Sequence, residues 1–553
     1  MKTTGLFLAA AAIAAVHSVS VRADHVIGDF VGTVRFDVSG SAQAQQHVVR
    51  GVKLVHHMMY PEADREFAQA ASIDPKCALA YWGRAMAILH PLWPDMPGDA
   101  ERQKGAEYLR RGLACPPATP REGAYLETLN HYFAASVPGD HAARLKVLDQ
   151  KWSELAERYP EDLDAVAFSA LYHLAPARFM AKDKSHRIQL EAAARLQKVF
   201  ARIPDHPGAQ HYKIHAYDFP LLADRALEVC DSYSSIAPDV PHALHMPTHI
   251  FTRRGLWDKS IAFNLRSAEA ARKLGEDAGA LNGHYPHALD YMAYAYLQRG
   301  EYREAHAIRR QVLSLSGPYS ELQPTAIAFA FAANPARYAL ERQAWDEAAG
   351  LPLHQPRAFP WGAQFLNCDS LTRFARAVGA GRSGKVDAAR KEIAELERIH
   401  RELATARLAS YWTSQAETQL LAARAWVQMA GKNTDEALAL MRRAAELEAG
   451  TDKEAVTPGE VLPAGDLLGD MLIEAGRAAD ALAAYEAVLA ASPNRLYTLH
   501  GAGRAAELAG NTTKALQHYE QLAKVAADGD PDIMRVEHAR AFIAKNRQRR
   551  TGE

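Results

Sequence analysis

The chain of 553 residues is 48% hydrophobic and 23% charged, as is usual for soluble proteins. Its formal net charge of −1 leaves no broad basic excess for binding phosphates, so no nucleic-acid partner is predicted. A single compact core is excluded at this length, unless the chain is a solenoid that grows by stacking repeated units.

The first 23 residues have the pattern of an export signal. Lys2 supplies a positive charge, and residues 6–16 form an apolar run that is too short to span a bilayer. Small or apolar residues precede Asp24, so we expect cleavage after Ala23 and a periplasmic or secreted location. No membrane span is predicted, because no later stretch approaches 18 consecutive apolar residues.

Four cysteines are spread widely along the chain. Their spacing matches no metal motif of the paired-cysteine kind. Export would permit disulfides, but we favour buried free thiols at Cys77, Cys115, Cys230 and Cys368.

A repeat is visible near both ends of the chain. A glycine, an alanine and an aromatic residue recur at offsets of 0, 12 and 16, and in two copies a proline follows at offset 24. Small residues let two helices cross closely, the ring fills the space towards the next unit, and proline ends the second helix. The copies are Gly51, Ala63, Phe67 and Pro75; Gly469, Ala481, Tyr485 and Pro493; and Gly503, Ala515 and Tyr519.

This pattern resembles the tetratricopeptide repeat (TPR) family, most strongly at residues 44–87, 210–315 and 466–524. The resemblance implies an all-α fold, a right-handed superhelix of helix pairs whose first helices line a concave groove. Such a groove binds a peptide, a protein or a small ligand. Proline-rich insertions are predicted as loops, and in repeat proteins insertions often collect on the binding face. They are residues 91–106, 176–185, 314–325, 350–364 and 449–463.

A composition shift near Arg357 indicates two arms. Residues 24–356 are rich in His and Tyr, and residues 357–553 are rich in Ala and Glu. We therefore predict an N-terminal TPR arm with a histidine-rich groove, followed by a C-terminal TPR arm.

Histidines follow a regular spacing within residues 210–290. His211 and His215 are four residues apart, and so are His245 and His249, which lie 34 residues later. Residues four apart share one helix face, and the TPR alignment puts both pairs at equivalent positions on first helices. Four imidazoles converging between packed helices predict a metal site for Zn, Cu or Fe. The alternatives are an imidazole groove for acidic or aromatic ligands, without a cofactor, and inert packing.

Further candidate residues lie on the same helix faces as these histidines. His242, and then His287 with Asp290, are the candidates for an acid or base if the site is catalytic. Asp218 or Asp290 could add an oxygen ligand or orient an imidazole. Pro247 is expected to kink its helix and to free a carbonyl group that could accept a ring N–H.

The candidate groove contains a second set of polar and aromatic side chains. His56 and His90 are also 34 residues apart. The alternative for this upstream pair is that it caps the inner ends of two helices. The set comprises Asp218, Tyr217, Arg253, Tyr294, His56, His57, His90 and Trp82.

Three functions are compatible with these patterns. The first is an exported TPR binding protein whose groove binds a peptide, protein or small ligand, with a histidine metal site. The second is a metal-dependent hydrolase or oxidoreductase that uses the same histidines. The third is a structural scaffold. The motifs HYKIHAYD and HALHMPTHIF also resemble those of a group of exported bacterial TPR proteins, a resemblance that implies no particular activity.

Overall fold

The structure is a computed structural model that describes residues 27–551, except 94, 116–118, 135–138, 181, 322 and 406–409. The predicted signal segment and the cleavage position after Ala23 lie outside the described residues. Among the helices that are described, none is long and apolar enough to cross a membrane.

Helices pack one after another along the N-terminal half of the chain, each mainly against its neighbours in sequence. They are α1 (Ala42–His56), α2 (Tyr60–Ile73), α3 (Ala78–Met86), α4 (Asp99–Ala114), α5 (Pro120–Phe133), α6 (His141–Arg158), α7 (Leu163–Leu174), α8 (Arg187–Arg202), α9 (Pro207–Tyr217), α10 (Leu227–Ser235), α11 (Pro241–His245), α12 (Pro247–Arg253) and α13 (Trp257–Ala278).

The C-terminal half continues in the same way. Its helices are α14 (His284–Arg299), α15 (Tyr302–Ser314), α16 (Pro324–Glu341), α17 (Trp345–Ala349), α18 (Leu366–Arg382), α19 (Val386–Thr405), α20 (Ser410–Ala430), α21 (Thr434–Ala449), α22 (Ala464–Glu474), α23 (Ala478–Ala491), α24 (Leu496–Leu508), α25 (Thr512–Val525) and α26 (Met534–Thr551). The β pairing in the described ranges is one isolated bridge, between Leu281 and Tyr319.

The residues of the repeat explain why neighbouring helices cross closely. A Cβ atom on Gly51 or Gly83 would lie 2.6 or 2.2 Å from the ring of Phe67, so both helices need glycine there. Gly469 and Gly501 face the ring of Tyr485 in the same way, at 2.4 and 2.5 Å. The predicted all-α solenoid of TPR-like helix pairs is confirmed.

Glycines also end the turns inside the C-terminal repeats. Gly476 and Gly510 have φ angles of 72° and 73°, in the left-handed region where a side chain is strained. Each of them therefore reverses the chain between the two helices of one pair.

The apolar interior divides into two large clusters. One spans Ile27 to Leu274, and the other spans Ala268 to Ile543. One hydrophobic cluster therefore gives way to the other at α13. The arm boundary predicted near Arg357 lies further along the chain, inside the second cluster.

The C-terminal half folds back onto the N-terminal half. Trp257 donates its ring N–H to the carbonyl oxygen of Asn494 at 2.8 Å. The Tyr291 hydroxyl lies within 3.1 Å of the carbonyl oxygens of Ala455 and Thr457. These last two residues belong to the predicted insertion after α21, which lies against α14, the first helix of the C-terminal half, and whose Lys453 reaches Asp218 of the N-terminal half at 3.2 Å.

All four cysteines are free thiols, which confirms the sequence-based preference. Cys77, Cys230 and Cys368 are buried, whereas Cys115 is half-buried.

Candidate functional site

A cavity of about 60 Å³ lies where α9, α11, α12 and α14 meet the folded-back C-terminal half. Three of the predicted insertions supply part of its wall, with Trp93, Gln323 and Glu454. Five histidines supply much of the rest: His215, His242, His249, His284 and His287.

Four helices position these imidazoles. His211 and His215 lie on α9, His242 and His245 on α11, His249 on α12, and His284 and His287 on α14. The predicted kink is confirmed, because α11 ends at His245 and α12 begins at Pro247. Among the described residues, no ring N–H donates to the freed carbonyl group of Ala243.

The structure divides the histidines into two triads, each with its three ligand atoms within 4.8 Å of one another. The first triad is His211, His215 and His242, and the second triad is His245, His249 and His287. The four histidines predicted to share one site are therefore split two and two. The repeat aligns His211 with His245, but neighbouring helices are offset, and His211 instead contacts His242, with 3.1 Å between their Nε2 atoms.

Hydrogen bonds fix the protonation of two rings in the second triad. His245 places Nδ1 2.7 Å from Oδ1 of Asn264, whose Nδ2 donates to the carbonyl oxygen of Ser260. His249 places Nδ1 2.9 Å from the carboxylate of Asp218. Both Nδ1 atoms must therefore carry the proton, and a neutral imidazole then has a bare Nε2.

The two bare nitrogens face each other. Nε2 of His245 lies 3.1 Å from Nε2 of His249. Two lone pairs at this distance repel each other, unless a cation lies between them. Nitrogens bound to one tetrahedral zinc ion lie about 3.3 Å apart, given bonds of about 2.0–2.1 Å. The pair is therefore close to the spacing that a metal ion requires.

A hydrogen bond also fixes the protonation of one ring in the first triad. His211 donates from Nδ1 to the carbonyl oxygen of His56 at 2.7 Å, which leaves its Nε2 bare. This contact requires α9 to approach α1 closely, and a Cβ on Gly208 would lie 2.4 Å from Nδ1 of His56. Nε2 of His215 and Nδ1 of His242 are buried without a hydrogen-bond partner.

Burial lowers the pKa of all six imidazoles of the two triads below the ordinary value. For His215 the pKa falls to about 3, because burial is reinforced by the neighbouring His249. The pKa of His249 is lowered by burial although its hydrogen bond to Asp218 acts in the opposite direction. The rings are therefore neutral near pH 7, the form that binds metal ions.

Asp218 is held by three cationic or N–H groups. Arg253 donates to it from Nε at 2.8 Å, and Lys453 of the insertion after α21 approaches within 3.2 Å. Burial by itself would raise the pKa of Asp218, but Lys453 and Arg253 outweigh burial and hold it well below the usual range. Burial lowers the pKa of Lys453 to about 8, although Asp218 opposes that change. Asp218 therefore orients His249 and ties the insertion to the site.

A third group consists of His56, Asp164 and His206, all fully buried. His206 caps α9 by accepting the backbone N–H of Ala209 at Nδ1, so its proton is on Nε2, which lies 3.3 Å from Oδ1 of Asp164 without hydrogen-bond geometry. A metal ion would need that Nε2 bare. The group is therefore a hydrogen-bonded support, which also positions the His56 carbonyl group for His211.

The predicted groove residues are placed in different surroundings. Asp218 and Arg253 lie beside the second triad. Trp82, His56 and His57 are fully buried and not open to a ligand. Trp82 packs among Phe36, Phe67, Tyr125 and Phe168; His57 bonds the Tyr233 hydroxyl; Tyr217 packs against the first core cluster; and Tyr294 bonds Arg495 at 2.6 Å.

Two other predicted residues have clear partners. His90 stacks on Tyr60, with ring centroids 4.2 Å apart, and it contacts the cavity wall through Trp93 and Asp95. Asp290 pairs with Arg337 at 2.6 Å, with both side chains almost fully buried. Asp290 is therefore part of an ion pair rather than a member of either triad.

Sequence reasoning missed several residues around the cavity. His284, whose ring centroid lies 5.2 Å from that of His242, is three residues before His287, and that spacing was a usable signal. Asn264 on α13 and Lys453 in a distant insertion gave no such signal, because only packing brings them to the histidines.

The scan against protein-family models matches none of them, and the search of curated proteins finds no similar sequence. Among solved structures, a human IFIT1 dimer with PPP-AAAA is similar at 13% identity and a TM-score of 0.37. The alignment covers 88% of this chain and 91% of that one. This TM-score is too low to transfer anything from that protein to this chain.

Proposed function

We propose that this chain is a metal-dependent enzyme built on a helical-repeat scaffold, with a transition metal held by His245, His249 and His287. The observation that carries the proposal is the pair of bare Nε2 atoms 3.1 Å apart in the second triad. Their hydrogen bonds to Asn264 and Asp218 leave neither of them a proton to share.

The hydrogen bonds behind the ligands support this proposal. Metal-binding histidines commonly donate their second ring N–H to a carboxylate, a carbonyl group or water. His249 donates to a carboxylate and His245 to an amide oxygen. Both rings are therefore oriented so that Nε2, the nitrogen that would bind the metal, faces the other ring of the pair.

The size and closure of the cavity favour a small ligand over a peptide. His249 and His287 of the second triad line a space of about 60 Å³, and His245 lies directly behind them, so the three rings are grouped and not spread along a groove. A larger chamber of about 410 Å³ adjoins it, sharing Leu92, His215 and Glu454 with the cavity wall. A substrate of moderate size can therefore occupy the chamber and present one group to the histidines.

Three imidazoles without a thiolate or carboxylate suit Zn, Cu or Fe. A metal with three protein ligands keeps a position open for water or substrate, and when bound it acts as a Lewis acid or activates water. Export to the periplasm or beyond belongs to the same proposal and rests on the first 23 residues.

The test is elemental analysis of the full chain, purified without a metal-binding tag and reconstituted with Zn, Cu or Fe. We expect bound metal in the wild type, and loss of metal from the second triad in His245→Ala and His249→Ala. His400→Ala is the matched control, because His400 lies on α19, away from the cavity.

The absence of metal from wild-type protein after reconstitution would overturn this proposal. The remaining function would then be an imidazole-lined site that binds an acidic or aromatic molecule, and a search for co-purifying ligands would follow.

A further inference from the structure

We infer that the centre is dinuclear: the first triad holds a second metal ion, and the two ions share one small ligand, such as hydroxide, inside the cavity. This inference rests on the proposed function for the second triad. It adds His211, His215 and His242 as ligands.

The first triad contains ring nitrogens that hydrogen bonding does not satisfy. His211 has a bare Nε2, because its Nδ1 donates to the His56 carbonyl oxygen. His242 can donate to that Nε2 from its own Nε2, 3.1 Å away, but its buried Nδ1 then stays without a partner. Nε2 of His215 is buried and unpartnered as well.

Unpartnered buried polar atoms are unfavourable, because each loses its hydrogen bonds to water and gains none in the folded protein. Two such atoms in one cluster of three rings are unfavourable for a purely structural role. A metal ion held by these three rings would accept one lone pair from each of them. The first triad therefore also contains lone pairs that a cation would satisfy.

Both triads face the same cavity. His215 and His242 of the first triad line it, and so do His249 and His287 of the second. The ring centroids of His215 and His249 are 6.4 Å apart. A volume of about 60 Å³ has room for a few water-sized groups. Ions held by the two triads are therefore neighbours across a space that fits a small shared ligand.

The six ligand atoms do not form one site. They fall into two sets of three, each within 4.8 Å, and a single octahedral ion would need all six together. Three imidazoles per ion would leave each ion able to take a further ligand from the cavity.

The shared ligand is expected to come from solution rather than from the chain. Asp95 and Glu454 are the carboxylates that line the cavity in the described structure. Asp95 is bonded to His90 at 2.5 Å, and Glu454 is bonded to Arg178 at 3.1 Å. Both carboxylates are engaged outside the triads, so a small oxygen or nitrogen anion is the better occupant.

The experiment uses Cu(II) as the probe and the full mature chain. Copper per chain is measured by mass spectrometry after reconstitution and desalting, and the Cu(II) EPR intensity is recorded with and without azide. We expect two copper ions per chain and an EPR intensity well below the total copper, because a shared ligand couples the two spins. Azide is expected to change the spectrum by entering the shared position.

Single variants assign the two ions. His211→Ala and His245→Ala are each expected to bind one ion and to recover the full EPR intensity of that ion, whereas His400→Ala keeps two. Circular dichroism checks that each variant folds. If a variant does not fold, the stoichiometry and EPR intensity of the wild type still decide.

The outcomes separate the two proposals. One ion per chain in the wild type would overturn the dinuclear centre and leave the proposed function standing. Two ions with full, uncoupled EPR intensity would overturn the shared ligand. No copper, zinc or iron at all would overturn the proposed function itself.

Discussion

Two polar regions are buried in this chain, and their charges are balanced in opposite ways. One is the pair of histidine triads, in which neutral rings face one another with no carboxylate in either triad. The other is the junction of α14 and α16 with α22 and the start of α24, around Arg495, and it is made of arginine–carboxylate pairs.

The junction satisfies its charges internally. Arg495 is fully buried and contacts Glu341 at 2.7 Å, Asp466 at 3.3 Å and the Tyr294 hydroxyl at 2.6 Å. Nearby, Arg337 pairs with Asp290 at 2.6 Å. Both arginines have a carboxylate partner, so the charges of this network are paired within the chain and its role is structural, although Oδ1 of Asp466 and Oδ2 of Asp290 have no hydrogen-bond partner.

The triads are not satisfied in this way. The facing Nε2 atoms of His245 and His249 are both acceptors, and Nε2 of His215 has no partner. Burial of polar groups is therefore no guide to function by itself. A better indicator of a functional site is a buried cluster of side chains whose lone pairs are satisfied by no neighbouring donor or cation.

Removing a junction cation is expected to have the largest effect on stability. Arg495→Met leaves Glu341 and Asp466 buried without their partner, which destabilises a protein by about 3–5 kcal/mol. Urea denaturation followed by circular dichroism measures the change. Arg504→Met is the control, because the Arg504 side chain is 41% exposed and its loss is expected to stay within about 0.5 kcal/mol. A loss below about 1 kcal/mol in Arg495→Met would contradict the structural role of the network.

Metal ions are expected to stabilise the triads and leave the junction unaffected. At a free concentration of about 100 times Kd, a bound ion raises the free energy of unfolding by about 2.7 kcal/mol. Calorimetry with and without zinc measures this increment in the wild type, where it is present, and in His245→Ala, where it is reduced. Arg495→Met melts earlier but keeps the increment. An equal increment in His245→Ala and wild type would place the metal elsewhere.

One carboxyl group of the junction, that of Asp466, is expected to make the stability of the fold depend on pH. Burial raises the pKa of Asp466 to about 7, although Arg495 opposes this change. The folded protein therefore binds this proton more tightly than the unfolded chain. Its contribution is full below the unfolded pKa of about 4 and is lost as the pH rises through about 7.

Asp466→Asn removes that contribution. Between pH 5 and 7 the wild type is expected to lose about 2 kcal/mol relative to this variant. The measurement is a series of urea melts on both proteins, because other groups that titrate in the same range cancel in the difference. Parallel stability curves would contradict a folded pKa of about 7 for Asp466.

The smallest effect is expected for a residue that orients a metal ligand without binding the metal itself. Asn264→Ala removes the acceptor for Nδ1 of His245, and the loss of such an orienting group lowers metal affinity by about tenfold, or about 1.4 kcal/mol. Competition titration with a chelator measures this change. Ser267→Ala is the matched control on the same helix, because Ser267 bonds the Pro241 carbonyl oxygen and no imidazole. A similar loss of affinity in both variants would indicate a general effect of α13.

Much of the architecture could be predicted from local patterns. The glycines opposite Phe67 and Tyr485 indicated closely crossing helices, and Pro247 indicated the break between α11 and α12. The arrangement of the ligands could not be predicted. Spacing puts His211 and His245 at equivalent positions but does not say that His211 meets His242.

The long-range contacts that close the site could not be predicted from the sequence either. Lys453 reaches Asp218 across 235 residues of sequence, and Trp257 bonds the carbonyl oxygen of Asn494 across 237. No periodicity connects such positions, because they meet only when the second half of the solenoid folds back.

The sequence by itself determined the helical repeat, the helix faces that carry the histidines and most of the insertions, but the predicted insertion 91–106 was wrong from Asp99 onward, where α4 begins. These follow from the 3.6-residue helical period, from proline and glycine at fixed places, and from steric fit between neighbouring helices. The tertiary structure decided which imidazoles meet, which ring nitrogens keep their protons and which distant carboxylates are neutralised. Those properties depend on offsets between helices and on long-range folding back, and neither is encoded in local spacing.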